Sequence, residues 1–296
     1  MATEKRVRFK SSWLPWLLVA PQLSIVLVFF FWPAWQAIYQ SVLTQDAFGT
    51  RPPIFVGAEN FLRLWNDDAY LASFKVTAVF SVLVASLGLS ISLLLAVMAD
   101  RAVRAASVYK TLLIWPYAVA PAVAGVVWLF MFAPSIGIVS FWMRTLGFEW
   151  NHLLDGDHAM ALIVMASVWN QISYNFLFFL AGLQSIPKSL VEAAAIDGAG
   201  PWRRFWTVQF PLLTPTAFFL LVINIIYAFF GTFGIIDTAT HGGPGQDTSI
   251  LVYKVYFDGF KALDLGGSAA QSVVLMVIVI GLTVVQFRYI EKRVNY

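Results

Sequence analysis

Long apolar runs without a single charge dominate this chain, and short polar segments separate them. The runs occupy residues 11–45, 76–99, 111–143, 159–187, 205–236 and 265–287. Each supplies the roughly 20 apolar residues that cross a bilayer core about 30 Å thick. Backbone groups in hydrocarbon need partners within their own segment, so runs of this length predict helices. A spanning barrel would show alternating segments of about 10 residues, which are not seen. The pattern predicts an all-α, polytopic membrane protein with six transmembrane helices near 16–37, 75–99, 111–132, 159–183, 212–233 and 268–288. These form one domain, 16–288, flanked by short segments 1–15 and 289–296, with a polar hairpin at 185–211.

Charge placement orients the bundle. Thirteen of the 19 Lys and Arg residues fall in the N-terminal segment, the 100–110 loop, the 184–204 segment and the C-terminal tail. Eleven of the 16 acidic residues fall in the other three loops. Basic loops stay on the cytoplasmic side, so both termini and the 185–211 hairpin are expected to be cytoplasmic. The stretch Lys5-Arg6-Val7-Arg8-Phe9-Lys10 resembles the front of a signal peptide. The apolar region behind it is too long and lacks a clean cleavage site, so a retained anchor helix is expected. The net charge of +3 is a topology signature and gives no support to nucleic-acid binding.

Composition fits this picture. The chain is 59% hydrophobic and 12% charged, against about 25% charged in soluble domains. With no cysteine, disulfides and thiolate chemistry are excluded. His152, His158 and His241 lie apart in outer loops, so no metal site is expected. Many Trp and Phe sit near span ends, as in an interfacial aromatic belt. Two outer elements are expected: a short helix near Glu59–Trp65, and another carrying Leu251, Tyr253, Tyr256 and Phe260 after the turn Gly242-Gly243-Pro244.

The hairpin carries the most information. Ser189 and Glu192 fit a capping box, or Ser185 caps with Pro187 in the first turn. Gly198 or Gly200 ends this helix in a left-handed turn, and Pro201 opens a second helix. Trp202, Phe205, Trp206 and Val208 lie on one side of that helix, Arg203 and Arg204 on the other. Small residues, exposed aromatics and arginines suit a docking surface; a plain connector between two spans is the alternative. Asp197 is positioned to pair with Arg203 or Arg204, or to meet a partner.

Glu192-Ala193-Ala194, then Gly198, then Val208-Gln209-Phe210-Pro211 resembles the "EAA" loop of binding-protein-dependent ABC importer permeases. Val208 and Phe210 replace the family's Ile and Leu. Thr240-His241-Gly242-Gly243-Pro244 is similar to the outer-loop signature of carbohydrate-type members, and Pro116, Pro121 and Trp128 agree. The segments 116–124, 171–179, 269–276 and 284–289 bring the likeness closest to permeases of sn-glycerol-3-phosphate importers. The resemblance implies a type I ABC importer permease fold in a bacterial inner membrane. It implies a second, related permease, two ATPase subunits that bind ATP and magnesium, and a periplasmic substrate-binding protein. This chain itself would hold no cofactor and catalyse nothing. ATPase coupling would fall to Glu192, Ala193, Ala194, Asp197, Gly198, Arg203 and Arg204.

The span cores offer no ionisable side chain, which argues against a proton- or sodium-coupled carrier. Candidates for the substrate path are the uncharged polar residues Tyr117, Asn170, Tyr174, Asn175, Asn224, Tyr227 and Gln271. Hydrogen bonding between helices is their alternative role. The implied substrate is sn-glycerol-3-phosphate, with its diesters. A permease for an oligosaccharide and a self-contained secondary transporter or channel stay open. An enzyme does not fit: no Gly-x-x-x-x-Gly-Lys-Ser/Thr loop occurs.

Overall fold

The computed structural model describes residues 13–46, 48, 50, 52–101 and 111–290. The basic stretch from Lys5 to Lys10, residues 102–110 of the second polar segment and the tail beyond 290 lie outside them. Among the described residues, five helices are long and apolar enough to cross a membrane, or six if one bent pair is a single span.

The first, α1 (Leu14–Ser41), buries nothing over its apolar window, and its C-terminal part (Trp32–Ser41) packs on the last helix. It is continuous despite Pro21 and Pro33, and a π turn at Leu27–Phe31 sits just before Pro33. A proline lacks an N–H and crowds the preceding turn, and a π bulge relieves that locally. A two-residue ladder follows, β1 (Leu43–Thr44) with β2 (Ile54–Phe55), then α2 (Glu59–Trp65) where the short outer helix is expected. Asn60 on α2 donates to the carbonyls of Ser41 and Leu43, which fixes the end of α1.

The core forms where α3 (Asp68–Arg101) crosses α7 (Gly156–Ser185). Phe80 and Val84 meet Leu162, Ile163 and Ala166 there, and Ser92 Oγ donates to the Ile172 carbonyl at 3.1 Å. Asp155 caps α7 by accepting from the His158 N–H. That hydrogen bond holds its carboxyl below the usual range.

The third apolar run departs from a single span at 111–132. It forms α4 (Thr111–Ala118), whose last turn is 3-10, and α5 (Pro121–Met131), bent by 107°. Val119 and Ala120 are extended between them. The cause is in the sequence: Pro121 disfavours helical dihedrals at the residue before it, and Pro116 weakens the turn upstream. Gly125 lets α5 approach α10 (Phe233–Ala239): a Cβ there would lie 2.8 Å from the Ile235 carbonyl oxygen. Between α5 and α7 comes α6 (Ile138–Thr145).

After α7 come α8 (Lys188–Ile196) and α9 (Pro201–Gly231). The latter begins eleven residues before the span expected from 212, because Pro211 and Pro215 sit inside it without breaking it. A π turn at Phe205–Gln209 again precedes a proline. The short helix α11 (Leu251–Tyr256, prolonged by a π turn Phe257–Lys261) buries Leu251 and Tyr253 against the bundle. The Leu251 N–H donates to Thr77 Oγ1 on α3 at 2.8 Å. The last helix, α12 (Leu265–Arg288), starts with Gly266, Gly267, Ser268, Ala269 and Ala270, all buried. Small residues allow close backbone approach in a membrane; a Cβ on Gly266 would lie 2.3 Å from the Leu43 carbonyl oxygen.

Candidate functional site

The hairpin is two helices joined by a four-residue turn. The Gly198 N–H donates to the Ala195 carbonyl and the Ala199 N–H to the Ala194 carbonyl, at 3.1 and 3.0 Å. That pair is a Schellman motif, with Gly198 at φ +79° in the left-handed position that only glycine takes without strain. Gly200 is ordinary extended backbone before Pro201, which occupies the first turn of α9. Neither expected N-terminal cap forms. Pro187 stands at the cap position of α8 with no side-chain hydrogen bond, and Ser185 Oγ turns back to the Gly182 carbonyl. Asp197 makes no ion pair with Arg203 or Arg204 among the described residues; all three point away from the bundle, Arg204 partly covered.

Apolar side chains cover the tip: Ile196 is 87% and Trp202 75% exposed. Glu192 and Ala193 are exposed and Ala194 is half-buried. Glu192 also lines a cleft of about 550 Å³ with Asp100, Gln184, Lys188 and Gln209, where the C-terminal ends of α3 and α7 meet α8 and the first part of α9. Trp202, Trp206 and Phe210 form a ladder at 5.7 and 4.9 Å spacings along α9. Because α9 is one helix from Pro201 to Gly231, the second leg of the hairpin and the fifth span are mechanically a single rod.

Most expected path residues are engaged inside the bundle. Asn170 donates to the carbonyls of Pro116 in the last turn of α4 and of Val119 in the α4–α5 break, at 3.2 and 2.9 Å. The Tyr227 hydroxyl donates to Asn170 Oδ1 and to the Ser167 carbonyl. Asn175 and Asn224 are fully buried and exchange two amide hydrogen bonds, at 3.0 and 2.7 Å. Gln271 donates to Asp258 Oδ2, inside a cluster where Lys254 pairs with Asp258 at 2.6 Å and Asp67 at 3.5 Å. These five side chains are hydrogen-bonded to other parts of the same chain. For Asn170 that role has a physical signature, the break in the third apolar run, that the Pro116 and Pro121 spacing alone could have signalled. Tyr117 and Tyr174 differ: their rings lie 5.9 Å apart, Tyr117 exposed and Tyr174 half-buried against the core.

At the opposite end, the outer turn has His241, Gly242 and Gly245 in left-handed conformations and a cis Gly243–Pro244 bond. Thr248 Oγ1 closes it by donating to Thr240 Oγ1 and the Gly243 carbonyl, both at 2.8 Å. Gly242 is held against Tyr253, which leaves no room for a Cβ. No cluster of three or more His, Cys, Asp or Glu able to hold a metal occurs among the described residues.

Residues 9–296 match the family described as binding-protein-dependent transport system inner membrane component. The sn-glycerol-3-phosphate transport system permease protein UgpA of Rhizobium meliloti (strain 1021) is 62% identical over 292 residues, 99% of each chain. The same-named protein of Brucella suis biovar 1 is 60% identical, again over 99% of both. That of Yersinia pseudotuberculosis serotype I is 59% identical over 98% of this chain and 99% of the relative. Among solved structures, a bacterial ABC transporter involved in import of the acidic polysaccharide alginate superposes with a TM-score of 0.79. It covers 94% of this chain and 96% of that one at 22% identity. A complex of the alginate ABC transporter with its pentasaccharide-bound periplasmic protein gives 0.78 at 21% identity, covering 93% and 94%.

Proposed function

Because the chain belongs to the inner-membrane components of binding-protein-dependent transport systems, we propose that it is one of two permease subunits of an ATP-driven importer of sn-glycerol-3-phosphate. It is a multi-pass protein of the bacterial inner membrane. The observation that carries the substrate is the identity of about three residues in five with glycerol-3-phosphate permeases across nearly the whole length. Glycerophosphodiesters are the natural extension, since they present the same phosphate and glycerol groups.

In this reading both termini and the α8–α9 hairpin face the cytoplasm. A second, related permease covers the open face of this one, including α1, whose apolar window is uncovered. Two ATPase subunits hold ATP and magnesium and dock on the hairpins; a periplasmic binding protein delivers substrate to the outer side. Ile196 and Trp202 anchor the hairpin in the ATPase, because desolvated aromatic and aliphatic side chains dominate such interfaces. Glu192, Ala193, Ala194, Asp197, Arg203 and Arg204 line the contact around them. Closure of the ATPase pair moves the hairpin, and α9 carries that movement to the outer side as a rigid element. The two permeases then alternate between inward- and outward-facing arrangements by rocking about their interface.

The test is ATP hydrolysis by the four-component assembly in proteoliposomes. Stimulation by glycerol-3-phosphate with its binding protein, and none by maltose, is expected. Stimulation by a sugar alone would discard the substrate and keep the class. Substrate uptake by this chain without any ATPase would discard the class.

A further inference from the structure

We infer that the segment from Ala133 to Leu154, with α6 at its centre, is seated in phospholipid and holds the ends of α5 and α7 at the bilayer surface. That seating requires only that α5 and α7 belong to membrane spans, and it is independent of the substrate.

Three observations converge. The first is that α6 is apolar on every side. Val139 and Met143 pack inward on the core around Phe132, and Ser140 Oγ donates to the Phe132 carbonyl at 2.6 Å. On the other side Ile138, Phe141 and Trp142 stand 60% exposed or more, as do Ile136, Leu146 and Phe148 beyond its two ends. Leu153 and Leu154 extend the patch to the cap of α7. A helix apolar all round is a buried helix. Eight large apolar side chains exposed within one short segment mark a surface that something covers. No described residue of this chain covers it.

The second is the state of the polar groups. Between Ala133 and Leu154 the fully charged residues are Arg144 and Glu149. Arg144 Nη2 donates to the Pro134 carbonyl, and Thr145 Oγ1 donates to the Phe141 carbonyl of its own helix, both at 2.9 Å. Exposed polar groups that turn back to backbone carbonyls suit hydrocarbon, where no water satisfies them. An arginine lays its stem along apolar surface and keeps its head in the polar layer. The Arg144 guanidinium has further donors there for a lipid phosphate.

The third is the kind of side chain, which separates lipid from protein as the cover. Helices that pack on one another within a membrane meet through small residues, as the buried start of α12 does with Gly266, Gly267, Ser268, Ala269 and Ala270. The α6 patch has bulky aromatic and branched side chains in that place. A binding protein that leaves after each delivery would return the patch to water. The exposed stripe Val123, Val127 and Phe130 along α5 leads to the patch, because α6 packs on α5. Phe141, Trp142 and Phe148 then match the aromatic belt found where membrane meets water.

The natural absence of cysteine gives the test. Ile138→Cys, Trp142→Cys and Leu146→Cys are introduced singly, with Gln246→Cys in the exposed turn before α11 as reference. Each is labelled with a nitrobenzoxadiazole fluorophore, and the complete importer is placed in nanodiscs of phosphatidylethanolamine and phosphatidylglycerol. Quenching by a phospholipid with a nitroxide near the top of its acyl chain is compared with quenching by aqueous iodide. The apolar face of an interfacial helix lies about 5–10 Å into the boundary of headgroups and acyl chains, so the lipid nitroxide is expected to quench at least about threefold more strongly than iodide at 138, 142 and 146, and less strongly at 246. Stronger quenching by iodide at α6 would put the patch in water. Protection from both quenchers would put it under the second permease, and protection gained only when the binding protein is added would make it a docking face. Each of these results would overturn the inference. The unsubstituted chain gives an independent reading. A phospholipid with a photoreactive diazirine in its acyl chain should label peptides covering 135–148; no label there, in an importer whose other spans are labelled, would overturn it equally.

Discussion

Consider removal of the amide pair that joins α7 to α9. Asn175 and Asn224 are both fully buried and exchange two hydrogen bonds, and Asn224 Nδ2 also donates to the Leu220 carbonyl at 2.7 Å. Interhelical hydrogen bonds in membranes average about 0.6 kcal/mol, so the two together contribute about 1.2 kcal/mol. Truncating one partner adds the cost of stranding the other, about 1–3 kcal/mol for a buried polar group. The structure makes the two truncations unequal. After Asn175→Ala, Asn224 keeps its bond to Leu220. After Asn224→Ala, Asn175 keeps no bond among the described residues. Asn224→Ala should therefore cost about 3 kcal/mol and Asn175→Ala about 2 kcal/mol, before any common cavity contribution. The double variant strands nothing and should fall short of the sum by about 1–2 kcal/mol. Reversible detergent-induced unfolding in mixed micelles, followed by tryptophan fluorescence, measures all four corners of the cycle. Additivity within about 0.5 kcal/mol would refute the reasoning and mean that water or another partner satisfies these amides.

Four further outcomes are expected. Glu192→Lys should abolish coupled transport while leaving membrane insertion intact, read as uptake against the amount of chain in the membrane. Gly198→Ala places a side chain at φ +79° and should raise hydrogen-exchange rates of the α8 C-terminal amides by roughly five- to thirtyfold, for a strain of about 1–2 kcal/mol; Gly198→Pro, which also removes the N–H bonded to Ala195, should abolish transport. Gly125→Ala would put a Cβ 2.1 Å from Thr238 Oγ1 and 2.8 Å from a backbone oxygen, and should destabilise the chain by about 1–3 kcal/mol in the same unfolding assay. His152 is 2% exposed and accepts from Trp150 Nε1 at 3.3 Å; burial, outweighing the Phe132 carbonyl beside it, holds its imidazole below the ordinary value. The unfolded chain then binds the extra proton first, so this loop should lose stability as pH falls below about 6.5, and His152→Phe should flatten proteolysis of the 133–158 loop against pH.

How much of this was legible in the sequence depends on whether the signal is local. Helix existence was, because charge-free runs of more than twenty residues have one membrane solution. The hairpin turn was, because Gly198 and Pro201 carry their backbone preferences with them. The missing caps on α8 were not. Ser185 and Ser189 have the right chemistry, but Pro187 takes the cap position and the Ser185 hydroxyl finds a nearer acceptor on α7. The third span was misjudged as continuous because hydropathy counts apolar residues and is blind to dihedrals; the information lay in two prolines five positions apart. In α9 the reverse holds, since Pro211 invited a start at 212, eleven residues too late, whereas the helix runs on through it from a π turn at Phe205–Gln209. A proline in a membrane helix thus breaks the chain or is accommodated according to what surrounds it, and those surroundings are long-range.

The polar residues show the same limit more sharply. Asn170 sits at helical spacing from Tyr174, which suggests one shared face, and along α7 that is true. Yet Asn170 is turned to the carbonyls of a segment more than fifty positions earlier, and Tyr174 lies half-buried beside the Tyr117 ring. The difference follows from what each group lacks. A broken helix leaves carbonyls that lipid cannot satisfy, and an asparagine amide, with two donors and an acceptor, answers two of them and still receives Tyr227. Once a break exists in the third span, a neighbouring helix must supply such a group. The break and Asn170 are therefore one feature divided between two segments of sequence. A substitution that straightens the break should make Asn170 expendable, and Asn170→Ala should be tolerated better alongside Pro121→Ala than alone. The double-mutant cycle at positions 121 and 170, in the same mixed-micelle unfolding assay, is expected to show at least about 1 kcal/mol of coupling. Strict additivity would mean that the bend persists without the proline and that tertiary packing, chiefly Gly125 against α10, imposes it.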